Sequence, residues 1–148
     1  MPIVPATQET SADHPAFALR VERSMQGLER LGPWVDEVAA DLALTRRVEY
    51  ALRLCLEEAV ANLVMHGVPV PGADAVSMIV DCTDDGLRLT VTDRCEAFDL
   101  RSVTSVSLAD RSPAQIGGLG IHLMRQYARV IDYARDGDAN RLTVTIGE

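Results

Sequence analysis

Apolar residues recur at two spacings along the chain, and these spacings predict where strands and helices lie. Residues 17–22 alternate apolar and polar side chains, which is typical of a strand with one buried face. Residues 26–42 carry apolar side chains at helical spacing, interrupted by Gly32 and Pro33. Because proline lacks an amide hydrogen and obstructs the preceding turn, we expect either a kink there or a short first turn, with the main helix starting near Pro33.

A longer helix is predicted next, from an N-cap at Thr45 to about His66. It stops at Gly67, ahead of Pro69 and Pro71, which cannot continue it. One face of this helix is apolar and is expected to pack in the core. The residues of that face are Leu52, Cys55, Leu56, Ala59 and Leu63.

Polar side chains follow one edge of the same helix at intervals of four residues. Glu58, Asn62 and His66 thereby place a carboxylate, an amide and an imidazole in a line. Such a line suits a metal-bound phosphate and a reacting hydroxyl. The residue types equally fit a solvated helix edge with a structural histidine, so both interpretations stay open at this point.

The second half of the chain predicts two hairpins separated by a long connection and a helix. Residues 95–116 lack periodicity and are long for a connection in a small domain, which favours a functional lid. A helix is predicted over residues 118–129. The order strand, two helices, two strands, lid, helix, two strands indicates an α+β fold, a two-layer α/β sandwich with helices on one face of a mostly antiparallel mixed sheet. The hairpin strands are residues 76–82 and 87–93 around Asp84-Asp85-Gly86, and residues 130–134 and 141–146 around Asp136-Gly137.

A glycine cluster, Gly117-Gly118-Leu119-Gly120, opens the last predicted helix. Glycine lets the backbone approach a ligand closely, and the first amides of a helix have no intrahelical partner. The pattern therefore suits an anion such as phosphate. A plain loop followed by a helix start has the same sequence signature, so the cluster needs support from a second site.

Composition narrows the class of protein. With 148 residues, the chain suits one domain, which we expect over residues 16–148 after a flexible leader at residues 1–15. Hydrophobic residues at 47% with aromatics at 4% describe a globular core of aliphatic side chains.

Charge and cysteine content limit the partners and the compartment. A net charge of -8 gives no general attraction to nucleic acid or anionic membranes, so direct nucleic-acid binding is disfavoured. Three scattered cysteines fit reduced thiols better than disulfides or a zinc site. The start of the chain is unlike a signal peptide, and no apolar run reaches membrane-spanning length. A cytoplasmic protein without membrane contact is expected.

Three motifs occur in an order and at intervals that resemble the GHKL ATPase superfamily. They are Glu58-Ala59-Val60-Ala61-Asn62, Asp93-Arg94-Cys95-Glu96-Ala97-Phe98 and Gly117-Gly118-Leu119-Gly120. Within that superfamily the chain is most similar, over residues 16–147, to the anti-sigma-factor serine/threonine kinases, also called anti-sigma regulatory factors. The resemblance implies the GHKL (Bergerat) ATP-binding fold.

The resemblance also implies roles for individual residues. Glu58 matches the catalytic residue that positions or deprotonates the attacking hydroxyl, and Asn62 matches the ligand of the Mg²⁺ ion that bridges the phosphates. Asp93 matches the acceptor of a hydrogen bond from the adenine amino group. The implied ATP-binding residues are Asn62, Asp93, Phe98, Gly117, Gly118, Leu119 and Gly120.

The activity implied by the resemblance is a kinase that phosphorylates a Ser or Thr on an antagonist (anti-anti-sigma) protein and sequesters a sigma factor. Dimerisation through the sheet is usual in that family, which leaves a homodimer open. The alternative is a partner-switching binding module of the same fold with weak or absent nucleotide binding, favoured by Cys95, which stands where the family usually has Gly. The catalytic core of a two-component histidine kinase fits less well, because the sequence shows no helical hairpin to present a phosphoacceptor histidine.

Overall fold

The fold is a five-stranded sheet packed against helices. The computed structural model describes residues 16–102 and 117–147, with the backbone alone for residues 117–120. The predicted leader and residues 103–116 of the predicted lid lie outside the described residues. The elements in chain order are β1 (Phe17–Glu22), α1 (Met25–Glu29), α2 (Leu31–Asp41), α3 (Arg46–His66), β2 (Ala75–Thr83), β3 (Gly86–Asp93), a 3-10 turn (Leu100–Ser102), α4 (Gly117–Tyr127), β4 (Ala128–Asp136) and β5 (Ala139–Ile146).

The strands form one sheet in the order β1-β2-β3-β5-β4. All four neighbouring pairs are antiparallel, so the described strands include no parallel pair. Both predicted hairpins, β2 with β3 and β4 with β5, are confirmed. Gly86 turns the first of them with a φ of 132°, and a Cβ there would stand 2.2 Å from the Ile146 carbonyl oxygen. The predicted two-layer α+β architecture is confirmed.

The core lies between one face of the sheet and the apolar face of α3. Antiparallel register aligns Met78, Val91 and Leu142 across β2, β3 and β5, and all three are buried. Because side chains alternate between the faces of a strand, residues two positions away along these strands point into the same core. On α3, the predicted apolar face is confirmed: Leu52, Cys55, Leu56 and Ala59 are buried, and Leu63 is partly buried against them.

The ends of α3 are those that its sequence predicts. The Thr45 hydroxyl oxygen accepts a hydrogen bond from the Val48 amide at 3.3 Å, which satisfies one of the free donors of the first turn. At the other end, the Gly67 amide donates to the Leu63 carbonyl at 3.0 Å, and the chain then leaves the helix in an extended conformation.

The helical stretch predicted over residues 26–42 is broken, as expected, near its Gly-Pro pair. The break falls at Arg30, between α1 and α2. Pro33 is therefore the third residue of α2, in the first turn. Amides in the first turn have no intrahelical acceptor, so the helix loses no hydrogen bond when proline lacks its amide hydrogen. Of the two expectations, the main helix starting near Pro33 describes the structure.

The last helix ends two residues before its predicted boundary at residue 129. Ala128 already pairs with Ile146 of β5, and a bulge between Ala128 and Val130 adjusts the register of the strand that follows. Strand pairing therefore overrides the helical periodicity at this point. Among the described residues, every helix is too short or too polar to cross a membrane.

Candidate functional site

A cavity of about 210 Å³ lies between the C-terminal half of α3 and the ends of β3 and β5. Whole-ligand pockets typically measure roughly 300–1,000 Å³, so the enclosed part suits one flat ring system. Its walls are largely apolar, with Ala59, Leu63, Val91 and Leu142 among the lining residues. Its polar lining includes Asn62, His66, Asp93 and Asn140.

Asp93 presents a buried carboxylate at the bottom of this cavity. It is the last residue of β3, and only 6% of its surface is exposed. Its Oδ1 atom accepts hydrogen bonds from the Cys95 amide and from the Asn140 side-chain amide, both at 2.9 Å. Neither of these bonds uses Oδ2, and Asp93 is one of the residues that line the cavity.

Asn140 lines the cavity and lies outside the motifs found in the sequence. It is the second residue of β5, it stands opposite Asp93 in the β3–β5 register, and it is 4% exposed. A signal for it exists in the sequence, because Asn140 shares the inward parity of Leu142, as Asp93 shares that of Val91. Two polar residues at core positions facing one another across neighbouring strands indicate a polar site.

Asn62 and Glu58 lie one turn apart on α3, as predicted, but in different surroundings. Asn62 lines the cavity, and within residues 16–102 and 117–147 its side chain makes no hydrogen bond. Its amide oxygen is a hard ligand of the kind that Mg²⁺ takes. Among the described residues, no cluster of three or more His, Cys, Asp or Glu is arranged to hold a metal. A metal held here would therefore depend on a ligand's own oxygens.

Glu58 is half-buried and does not line the enclosed cavity. Burial, and after it the negative charge of Glu57, raises the pKa of the Glu58 carboxyl above its ordinary value. Both causes disfavour the ionised form. Glu58 is therefore a stronger base when ionised than a solvated glutamate is.

The structure brings Phe98 to the cavity and starts α4 at the glycine cluster. Phe98 lines the opening, 49% exposed, and its backbone amide donates to Asn140 Oδ1 at 3.4 Å. The first turn of α4 consists of Gly117, Gly118, Leu119 and Gly120. Helix α4 as a whole contacts α3. Their predicted approach to phosphates remains a prediction.

The backbone of Cys95 does not adopt the left-handed conformation that favours glycine. Among the described residues other than glycine, Ala43 alone has a positive φ, so Cys95 carries none of the strain that such a conformation imposes. The thiol is buried and lines the cavity. Burial, followed by the charge of Asp93, raises the pKa of Cys95 to about 11. The thiol is therefore protonated at neutral pH, as expected of a small buried side chain.

Residues 24–146 match the family model of the histidine kinase-like ATPase domain. This chain belongs to the histidine kinase-like ATPase family. The chain is also 30% identical over 113 residues to the serine/threonine-protein kinase BtrW of Bordetella bronchiseptica, an alignment that covers 76% of this chain and 80% of that protein. The resemblance to the GHKL ATPases is thereby confirmed.

Membership of the histidine kinase-like ATPase family accounts for the layered fold and the position of the cavity. The family match implies a nucleotide-binding domain and extends from just after β1 to the end of β5. The relative is named as a serine/threonine-protein kinase.

Proposed function

We propose that this protein binds ATP with Mg²⁺ and transfers the terminal phosphoryl group to a Ser or Thr of an antagonist (anti-anti-sigma) protein. The observation that carries the proposal is one cavity with largely apolar walls that is lined by both Asp93 and Asn62. This combination supplies a place for a flat base and a hard oxygen near the point where its phosphates emerge.

Recognition of the base rests on Asp93. Asp93 lines the cavity, and both amide hydrogen bonds to its carboxylate use Oδ1, which leaves Oδ2 as an acceptor for the exocyclic amino group of adenine. The side chains of Leu63, Val91 and Leu142 supply apolar contact with the faces of the ring. A charge-assisted hydrogen bond to a buried carboxylate is both strong and selective.

Phosphate binding is assigned to Asn62 and to the first turn of α4. Asn62 would hold Mg²⁺ through its amide oxygen, and the ion supplies neutralisation of the phosphate charge when bound. The free amides of Gly117, Gly118 and Gly120 are suited to phosphate oxygens, because no side chain keeps the ligand away from the backbone. Leu119 belongs to the same turn.

Glu58 is proposed as the residue that orients or deprotonates the attacking hydroxyl. It stands one helical turn from Asn62, on the same helix, so the hydroxyl and the phosphates would be aligned by one rigid element. Its raised pKa brings the carboxyl closer to the operating pH, which favours general base catalysis.

The sigma factor is the proposed second partner, held when the antagonist is unavailable. Support comes from the motif resemblance and from the relative, which is named as a serine/threonine kinase. A cytoplasmic location and a homodimer formed through the sheet belong to the same proposal. The second candidate is a binding module that holds partners without phosphoryl transfer, favoured by the Cys95 side chain in the cavity wall.

A melting experiment tests nucleotide binding. At 100 times its dissociation constant, Mg-ATP should stabilise the protein by about 2.7 kcal/mol and raise the melting temperature by several degrees. Asn62→Ala should lose this gain. Met65→Ala, which removes an exposed side chain from the same helix, should keep it. An unchanged melting temperature of the wild type at millimolar Mg-ATP would contradict the proposal.

A transfer experiment separates the two candidates. Incubation with γ-labelled ATP and the candidate antagonist should label the antagonist on Ser or Thr, and Glu58→Gln should strongly reduce the rate of labelling while it keeps the melting shift. Nucleotide binding by the wild type without any labelled antagonist would favour the binding module instead.

A further inference from the structure

Asn140 uses both ends of its side chain in a buried network. Its Nδ2 atom lies 2.9 Å from Asp93 Oδ1, 3.2 Å from the Cys95 carbonyl and 3.1 Å from the Glu96 carbonyl. With 4% of the residue exposed, these contacts replace water almost completely. The side chain thus ties the end of β3 to the segment that forms the cavity wall.

Three donors converge on the other end of the same amide. Asn140 Oδ1 accepts from the Tyr133 hydroxyl at 2.5 Å, from the Arg135 guanidinium at 3.0 Å and from the Phe98 amide at 3.4 Å. A flipped amide would turn its NH₂ group toward the Arg135 guanidinium and the Phe98 amide, which cannot accept, and its oxygen toward the Asp93 carboxylate and two carbonyls, which cannot donate. The network therefore leaves one orientation, with Nδ2 toward Asp93.

That orientation determines what Asp93 offers to a ligand. Asn140 and the Cys95 amide both donate to Oδ1, so these two bonds hold the carboxylate by one oxygen and leave Oδ2 as an acceptor for a ligand in the cavity that Asp93 lines. Without Asn140, the carboxylate loses one of the two amide hydrogen bonds to Oδ1 and rotates more freely. An acceptor fixed in a cavity favours a ligand that presents a donor there and rejects one that presents a second acceptor.

We propose that Asn140 is a positioning residue that gives the cavity its preference for a purine carrying a 6-amino group, by fixing the Asp93 carboxylate. The inference rests on the proposed nucleotide binding and adds to it a residue outside the three motifs. It predicts that Asn140 acts on the amino group of the base and leaves the remainder of the nucleotide contacts unchanged.

Dissociation constants for two triphosphates test this role. ATP is compared with purine riboside triphosphate, which lacks the 6-amino group, by titration of the full chain. The wild type should prefer ATP by about tenfold or more, the worth of a hydrogen bond to a charged group. In Asn140→Ala this ratio should fall toward one, mainly because ATP binding weakens. Arg141→Ala, an exposed neighbour on the same strand, should keep the wild-type ratio.

The outcomes distinguish this inference from the function on which it rests. A wild type that binds neither triphosphate overturns the proposed function and the inference with it. If Asn140→Ala weakens the binding of both triphosphates by the same factor, the ratio is unchanged and Asn140 only supports the fold. That outcome overturns the inference and leaves the proposed function standing. Asn140→Ser retains a polar atom in the network but lacks the reach of the amide, and it provides the same readout if the alanine variant does not fold.

Discussion

The Cys95 thiol and the missing side chain of Gly67 fit together: the sulfur lies 2.9 Å from the point where a Cβ on Gly67 would stand. This contact joins the end of α3 to the segment after β3, where Pro69 also forms an isolated bridge with Cys95. Gly67 and Cys95 both line the cavity, so this contact joins two parts of its wall. Substitutions in this contact should disturb both.

Gly67→Ala is expected to destabilise the protein by roughly 1–3 kcal/mol, the usual cost of overpacking. Its Cβ would stand 2.4 Å from the Leu63 carbonyl oxygen as well as 2.9 Å from the sulfur. The carbonyl belongs to the helix backbone and cannot move aside easily. Urea denaturation measures the change. The double variant with Cys95→Ala should regain only part of the loss, and a Gly67→Ala protein as stable as the wild type would refute this account of the contact.

The thiols of Cys95 and Cys55 are expected to resist alkylation in the folded protein. Burial raises their pKa values, to about 11 for Cys95 and to about 12 for Cys55, and the thiolate is the reactive form. The folded protein holds these thiols in the protonated form more strongly than the unfolded chain does. The stability that results is complete below their ordinary pKa of 9.0 and is lost as pH rises through the raised pKa values of the folded protein.

Iodoacetamide labelling followed by mass spectrometry checks this expectation. Labelling of both residues should be slow at pH 7, faster above pH 9 and complete in denaturant. Mg-ATP should slow the labelling of both cysteines, because it stabilises the fold. The effect should be larger for Cys95, which lines the cavity, than for Cys55. Rapid labelling of Cys95 at pH 7 in the native protein would instead indicate an accessible thiolate.

Elements with local signals could be predicted from the sequence. The Thr45 cap, the Gly67 stop and the Asp84-Asp85-Gly86 turn each depend on residues that are neighbours in the chain, and each was found where it was expected. Local chemistry determines these boundaries, because caps and tight turns satisfy backbone groups within a few residues.

The site could be predicted only where a motif carried it. Asn62, Asp93 and Phe98 belong to motifs and do line one cavity. Asn140 lies 47 residues from Asp93, and their contact depends on the order of the strands and their register, which no local pattern provides. The start of β4 at Ala128 was obscured for a similar reason, because pairing with β5 overrides the helical pattern.

Ala43→Gly should stabilise the protein. Ala43 follows the C-cap of α2 with a φ of 50°, a conformation that costs a residue with a Cβ roughly 1–2 kcal/mol and glycine almost nothing. After the greater flexibility of glycine in the unfolded chain is subtracted, a gain of about 0.5–1 kcal/mol remains. Ala40→Gly is the matched control, because it is exposed within α2 and should lose about 1 kcal/mol. Equal losses for both variants, measured in urea, would contradict the assigned backbone conformation.

Glu58→Gln should remove one step from the pH dependence of phosphoryl transfer. If Glu58 accepts the proton of the hydroxyl, the wild-type rate rises as pH passes through its raised pKa. The residual rate of the variant should lack this rise. Glu57→Gln, an exposed neighbour on α3, should retain the transfer and shift the rise to lower pH, because it removes a negative charge that raises the pKa of Glu58. A Glu58→Gln rate within twofold of the wild type would exclude Glu58 as the base.

The same substitution should also change stability in a manner that depends on pH. Burial disfavours ionised Glu58 in the folded state, so the folded protein loses stability as pH rises from below its ordinary pKa of 4.5 through the raised value. Glutamine has no such cost. At pH 7, Glu58→Gln should therefore unfold at a higher urea concentration than the wild type. Near pH 3, which is more than about a unit below the ordinary pKa, the carboxyl is protonated in the folded and in the unfolded protein, and the two proteins should unfold at the same urea concentration. A variant that is less stable than the wild type at pH 7 would show that favourable contacts hold ionised Glu58, and its assignment as a half-buried base with a raised pKa would be wrong.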